Sequence, residues 1–258
     1  MSEEQLCAVQ ASGPVRVRLT AGFDPAPLAA MGIGSMSEGN PQRLVMQREE
    51  LTPASLQYLQ AHPHQTELWL AHLYQQAPLE PLEIQPFLRP LRGLPFLFSM
   101  LGELTGLDDP ERFPVGEHWP LSCLDRERAF CLLLERLRRL WQEGYPDDEM
   151  RLALLADYAS RLRQLDNHSF VCWDNQALYA YSDGSQRRGL FYELLQGEHF
   201  LLQGVLPLEI TAESPVSLVL IGTDAMLSDK ALPIQDGQLS CFSQGQLQDT
   251  CEPVQLWS

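Results

Sequence analysis

Residues 67–104, ELWLAHLYQQAPLEPLEIQPFLRPLRGLPFLFSMLGEL, decide the fold of this chain. Two short apolar runs, ELWLAHL and PFLFSML, flank a segment interrupted by Pro78, Pro81, Pro86 and Pro90. Such runs, bounded by proline and glycine, are typical of core strands in a sheet that is covered on both faces. The stretch therefore predicts two buried strands that carry their last residues to the edge of a sheet, where a site can form.

The segments around this stretch predict further strands and three helices. A Ser37–Pro41 turn indicates a hairpin from Met31 to Gln47, and Thr52-Pro53 is a helix start with an N-cap and a proline at the first position. Apolar residues at helical spacing predict helices over 125–142 and 147–165. Strands are predicted at 15–20, 168–174, 177–183, 199–205, 217–223 and 238–244. Strands, then helices, then strands, without βαβ alternation, predict an α+β layered fold in one domain, residues 1–258.

Composition excludes several classes of function. The chain has 34 acidic and 18 basic residues and a formal charge of −16, so it would repel nucleic acid and anionic membranes. No basic leader, apolar leader or membrane-length apolar run is visible, which predicts a cytoplasmic protein. The six cysteines lack zinc-ligand spacing, and His62 and His64 alone make a weak metal site. No metal and no cofactor are predicted.

The order of these pieces resembles the class II glutamine amidotransferases, in particular the compact bacterial branch that consists of the glutaminase domain alone. The matching stretches are Cys7-Ala8-Val9, Met31-Gly32-Ile33, and residues 71–77, 84–87, 98–104 and 124–127. The resemblance implies an Ntn-hydrolase-like fold, a four-layer αββα sandwich of two antiparallel sheets between helices. It also implies a nucleophilic N-terminal cysteine that splits glutamine through a thioester.

The residues that would perform this chemistry depart from the family pattern. The resemblance makes Cys7 the vestigial nucleophile, but its nitrogen is a peptide nitrogen unless residues 1–6 are removed. The family's oxyanion-hole asparagine is Leu101 here, so only Gly102 remains at that position. Loss of one such donor costs about two to three powers of ten in rate.

The substrate-binding positions depart in the same way. The arginine that clamps the substrate carboxylate is Tyr74 here, the histidine of the THPF motif is Gln85, and the motif threonine is Ala77. Asp125 matches the residue that holds the substrate amine, but it could equally cap the long helix. His72 fits a buried core histidine better than a catalyst. Cys7 itself could be a buried strand residue, a nucleophile released by processing, or a thiol with another role.

Two functions follow from the resemblance. In the first, the protein is a degenerate amidotransferase that acts by binding a partner subunit, a second copy of itself, or a small ligand such as glutamine. In the second, it is an active glutamine amidotransferase that is cleaved before Cys7 and passes ammonia to an acceptor. The missing polar groups favour the first function.

Overall fold

A computed structural model describes residues 4–76, 80–183, 189–223 and 226–251. Ala77, which the resemblance aligns with a threonine, lies outside these ranges. The helices are α1 (Pro53–Ala61), α2 (Asp125–Leu140) and α3 (Asp148–Arg163). The strands are β1 (Glu4–Leu19), β2 (Ala30–Ser37), β3 (Asn40–Gln47), β4 (His64–Tyr74), β5 (Phe87–Leu91), β6 (Leu94–Leu101), β7 (Ser169–Trp173), β8 (Leu178–Tyr181), β9 (Phe191–Leu202), β10 (Leu208–Gly222), β11 (Leu232–Pro233), β12 (Leu239–Ser243) and β13 (Gln246–Cys251).

The first sheet, sheet A, is antiparallel and has β1 at its centre. Its strand order is β11-β9-β10-β1-β4-β2-β3. β1 pairs with β4 on one side and with β10 on the other, so that Cys7 lies between Ala71 and Gly222. The register shifts between Ala11 and Val15, where Gly13 and Pro14 interrupt the pairing.

The second sheet, sheet B, is also antiparallel, with the order β13-β12-β8-β7-β6-β5. The two apolar runs that decide the fold become β4 and β6, which lie in different sheets. They face each other across the interior, where a ring nitrogen of His72 lies 2.7 Å from the hydroxyl of Ser99. The central stretch of the sequence therefore ties the two sheets together.

Alternating apolar residues divide the core into three layers, because successive side chains of a strand point to opposite faces. One cluster lies between the sheets and includes Leu6, Leu70 and Leu97. A second packs α2 and α3 against the outer face of sheet B. The third lies on the outer face of sheet A, where Leu56 and Leu59 of α1 pack. The structure is thus an α+β sandwich of two antiparallel sheets between helices, as predicted.

Local signals placed most elements within a few residues of their observed bounds, but the predicted strands missed the first half or more of β1, β9 and β10. Thr52 caps α1 by accepting a hydrogen bond from the backbone N–H of Ser55, and Asp147 caps α3 in the same way through Met150. The predicted turn between β2 and β3 contains Gly39, whose φ of +78° suits glycine. None of the described helices has the length and apolar character to cross a membrane. The expectation of a single domain stays a prediction.

Candidate functional site

A cavity of about 660 Å³ lies where the start of β1, the end of β4, the segment after β6 and the start of α2 meet. Its lining residues are Glu4, Tyr74, Gln76, Glu83, Glu103, Leu104, Thr105, Gly106, Asp108, Cys123, Leu124, Asp125 and Arg126. Polar and apolar groups contribute about equally to the wall, and five of these residues carry carboxylates. Two of the predicted site residues, Tyr74 and Asp125, therefore reach one cavity.

Glu4 is the residue of β1 that lines this cavity. It pairs with Tyr74 in the sheet, and its carboxylate accepts a hydrogen bond of 2.6 Å from the guanidinium of Arg126. The other carboxylate oxygen lies 3.7 Å from Nε2 of His72. Burial acts to raise the pKa of Glu4, but the contacts with His72 and Arg126 outweigh it and lower the pKa to about 2. Glu4 is thus an ionised wall residue of the cavity.

Cys7 lies apart from the cavity. Its neighbours Leu6 and Ala8 face the interior between the sheets, whereas Cys7 packs in the apolar layer on the outer face of sheet A. The side chain is 1% exposed, and burial raises the pKa of the thiol to about 12. The thiol is therefore protonated at neutral pH. Its role as a vestigial nucleophile stays a prediction, and this geometry does not favour it.

His72 is a buried structural residue. It is fully buried on β4, its Nδ1 contacts the Ser99 hydroxyl, and burial lowers the pKa of its ring despite the nearby Glu4. Glu4, His72 and Ser99 form a series of acid, imidazole and hydroxyl that superficially resembles a hydrolase triad. Ser99 is itself 0% exposed, so no substrate reaches its hydroxyl. The series instead joins the two sheets.

Tyr74 and Gln85 hold a loop against the sheets. The backbone N–H of Gln85 donates to the Tyr74 hydroxyl at 2.9 Å. The Gln85 side chain donates to the carbonyl of Met100 at 2.9 Å and accepts from its N–H at 2.7 Å. The Tyr74 ring also stacks on His72, with 4.4 Å between the ring centroids. The Tyr74 side chain is thus a hydrogen-bonded part of the cavity wall. The Gln85 side chain holds its loop on β6 through the two backbone contacts that a neighbouring strand would make.

Leu101 and Gly102 lie at the end of β6, as the sequence predicts. Leu101 is 1% exposed and packs in the layer between the sheets. Gly102 has a φ of +99°, which directs the chain into residues 103–106 along the cavity wall. An apolar side chain therefore stands where the resemblance requires an amide donor.

Asp125 is the first residue of α2 and does not cap it. The N-cap is Leu124, which makes no side-chain hydrogen bond, so the capping explanation of Asp125 is wrong. Glu127 binds the preceding turn instead, because it accepts the backbone N–H groups of Leu121 and Ser122 at 2.9 and 2.7 Å. Burial and the nearby Asp108 carboxylate raise the pKa of Asp125.

Cys123 lies in the turn that precedes α2. Its thiol is exposed, lines the cavity and lies 3.7 Å from a carboxylate oxygen of Glu83. Cys131 is buried in the layer under α2. The two thiols therefore have unrelated surroundings.

Sequence reasoning missed most of the cavity residues, including Glu4, Glu83 and Arg126. Strand parity could have found Glu4, because alternate residues of β1 face the interior and Glu4 shares the face of Leu6 and Ala8. Nothing in the sequence pattern singles out Glu83 or Arg126. Among the residues that the structure describes, no group of three histidine, cysteine, aspartate or glutamate side chains is arranged to hold a metal. The absence of a cofactor stays a prediction.

Comparison with known proteins identifies the family. The family model described as glutamine amidotransferases class-II matches residues 32–256. A solved structure of a predicted glutamine amidotransferase from Pseudomonas aeruginosa is similar, with a TM-score of 0.73 and 20% identity over 94% of this chain and 98% of that one. A glutamine aminotransferase class-II domain protein from Silicibacter pomeroyi has a TM-score of 0.57 and 12% identity over 96% and 99% of the two chains.

A larger enzyme shares the fold. Glutamine phosphoribosylpyrophosphate amidotransferase from Bacillus subtilis has a TM-score of 0.57 and 10% identity over 96% of this chain and 49% of its own. No curated protein sequence matches the chain. These similarities confirm the expected Ntn-hydrolase fold. Because the family model spans most of the sequence, this chain belongs to the class II glutamine amidotransferase family.

Proposed function

We propose that this protein is a class II amidotransferase-like binding protein that does not hydrolyse glutamine and holds a small ligand in the cavity beside Glu4. One observation carries the proposal: β1 presents Glu4 to the cavity, while Cys7 lies on the opposite face of the strand. Glutamine hydrolysis in this family needs a thiolate beside the substrate amide. The thiol of Cys7 is buried, protonated and separated from the cavity by a layer of the sheet.

Glu4 is not a substitute for that nucleophile. Its carboxylate is engaged by Arg126 at 2.6 Å, and its low pKa makes it a weak base. Attack on an unactivated amide requires a strong nucleophile with a base beside it. Among the described residues, the imidazole that lies near Glu4 is that of His72, which is buried and contacts Ser99. The position therefore suits charge recognition and not acyl transfer.

The residues at the oxyanion and substrate-carboxylate positions support the same conclusion. Leu101 offers no hydrogen bond to a tetrahedral oxyanion, and loss of one such donor costs about two to three powers of ten in rate. The hydroxyl of Tyr74 cannot make the bidentate contact by which an arginine clamps a carboxylate. Both positions therefore lack the polar groups that the family resemblance requires there.

The alternative is an active enzyme cleaved before Cys7, and the packing of β1 speaks against it. Cleavage there would remove Glu4, Gln5 and Leu6, which pair with Tyr74, Leu73 and His72. Leu6 is 0% exposed in the core between the sheets. Loss of a buried leucine side chain costs about 2–5 kcal/mol. The freed amine would also lie in the middle of sheet A.

Glutamine turnover by the purified full-length protein tests the proposal. Glutamate release is measured at micromolar protein, beside the Cys7→Ala variant, and intact mass reports whether the N-terminus has been processed. We expect equal background rates for both proteins and an unprocessed mass. Glutamine hydrolysis that disappears in Cys7→Ala would overturn the proposal. A partner subunit or self-association stays a separate prediction, which light scattering during gel filtration tests.

A further inference from the structure

A second cavity, of about 360 Å³, lies at the end of the sandwich away from Glu4. Gln10 of β1 lines it, and this residue is about 20 Å farther along the strand than Glu4, at about 3.3 Å per residue. The turns that follow β2, β7 and β12 surround the cavity, together with the first half of β4. The two cavities share no lining residue, so they are separate.

Gln10 is a polar residue in the apolar layer between the sheets. It shares the face of β1 that carries Leu6 and Ala8, and it is only 5% exposed. No described residue donates a hydrogen bond to its Oε1. A buried polar group without a partner does not stabilise a fold, but a hydrogen-bond donor that enters the cavity can satisfy it. The amide turns over a broad range about its last side-chain bond, so it can present either its oxygen or its N–H groups.

The rest of the wall carries amides, a hydroxyl, carboxylates and one buried indole ring. These groups include the side chains of Glu38, Glu67, Trp173, Asn175, Ser243 and Gln244. Amides and hydroxyls both donate and accept hydrogen bonds, as the hydroxyl groups of a sugar do. The wall therefore matches a ligand that carries several hydroxyl groups.

The charges of the wall argue against other classes of ligand. The described lining residues include no arginine, lysine or histidine, so the two carboxylates repel an anion. Glu38 and Glu67 are both exposed, and solvent therefore weakens their attraction for a cation. Polar groups make up more of the wall than apolar groups, which leaves little surface for the apolar side chains of a peptide.

We infer that this cavity binds a neutral saccharide. One sugar hydroxyl pairs with the amide of Gln10, and others donate charge-assisted hydrogen bonds to the carboxylates of Glu38 and Glu67. The apolar face of a sugar ring lies beside Trp173. The cavity volume falls within the range of small-molecule sites, roughly 300–1,000 Å³. The inference does not rest on the proposed function, because it concerns a different cavity.

Saturation-transfer NMR on the purified full-length protein tests the inference. The probes are maltose, cellobiose and lactose, each titrated separately, with glucuronate as the anionic control. We expect at least one disaccharide to bind with a Kd below about 10 mM, and glucuronate not to bind. Gln10→Met should raise that Kd about tenfold, and so should Glu67→Ala, whose exposed position spares the fold. The matched control is Thr105→Ala in the cavity beside Glu4, which should leave the Kd unchanged.

Thermal unfolding without sugar separates a ligand-binding role of Gln10 from a structural one. Methionine has nearly the same length and lacks the unpaired amide, so Gln10→Met should have an unchanged or higher Tm. A lower Tm would show that an internal water satisfies the amide, and it would overturn the inference.

Three binding results would also overturn it. They are binding by none of the three disaccharides, equal binding of glucuronate, and a Kd that Gln10→Met and Glu67→Ala leave unchanged or that Thr105→Ala raises as much. Glutamine turnover has no bearing on these results, so the failure of this inference is distinguishable from the failure of the proposed function.

Discussion

Replacing Glu4 with glutamine tests whether the half-buried carboxylate at the start of β1 stabilises the fold. The variant keeps the shape of the side chain and removes its charge, which faces Arg126 and His72. The Glu4 side chain is 20% exposed, so solvent screens it little. A pKa lowered from 4.5 to about 2, at about 1.4 kcal/mol for each pKa unit, corresponds to about 3 kcal/mol of folding free energy.

The pH dependence of this effect has a definite sign. Because the pKa of Glu4 is lower in the folded than in the unfolded chain, its stabilisation is complete above pH 4.5 and is lost as the pH falls towards about 2. The difference in free energy of unfolding between wild type and Glu4→Gln should therefore be about 3 kcal/mol at pH 7 and about half of that near pH 3.

Urea denaturation at the two pH values measures this difference. The matched control is Glu213→Gln. It removes a surface ion pair with Arg16, in which the Glu213 side chain is 87% exposed. An exposed pair contributes about 1 kcal/mol or less, so the control should change stability little at either pH. A Glu4→Gln effect no larger than that of the control, or one that does not change with pH, would refute the electrostatic account of Glu4.

Three further substitutions test contacts elsewhere in the fold. Cys7→Ala should cost about 1 kcal/mol in urea denaturation, because it removes one buried atom; a cost above about 3 kcal/mol would show that the thiol does more than fill space in the outer layer of sheet A. Asp174→Asn removes the buried carboxylate 2.8 Å from Arg151 and leaves that guanidinium with the exposed Asp148, so it should cost about 3 kcal/mol; a cost under about 1 kcal/mol would show that the pair is solvated. Gly32→Ala places a Cβ against the carbonyl oxygen of Gln85 and should cost about 3 kcal/mol or more, seen as a lower Tm; an unchanged Tm would mean that the loop yields freely.

The sequence predicted those elements whose pattern is contained in one short, continuous segment. β4 and β6 are continuous apolar runs, and α1 begins at a threonine followed by proline. β5 was predicted as loop because Pro90 interrupts it. It lies at the edge of sheet B, where a strand tolerates proline because one side of its backbone needs no partner. Whether this segment forms a strand depends on its position in the sheet. The residues of the segment alone do not reveal that position.

The site was predicted in part for a similar reason. Of the residues that the resemblance singled out, Tyr74 and Asp125 line the cavity, whereas Leu101 packs between the sheets. The prediction failed for β1. Cys7 was assigned to the site because of its residue type, although the alternation of the strand places it on the other face. Glu4 and Cys7 are three residues apart, an odd number, so they lie on opposite faces of sheet A. Residue type suggested the chemistry, whereas strand register determines which side chain enters the cavity.

Helices cover the two sheets to different extents, and this difference affects which part of the protein opens first. Two 16-residue helices lie over sheet B, while the 9-residue α1 is the one described helix packed on sheet A. At the far side of sheet A, β9 presents Leu194 and Leu201, which are 48% and 60% exposed, and pairs with β11 through two residues. Regions with few buried contacts open first in native-state hydrogen exchange. The amides of β9 should accordingly exchange faster than those of β7. The edge of sheet A formed by β9 and β11 would then open while the end of β1 beside the cavity stays folded.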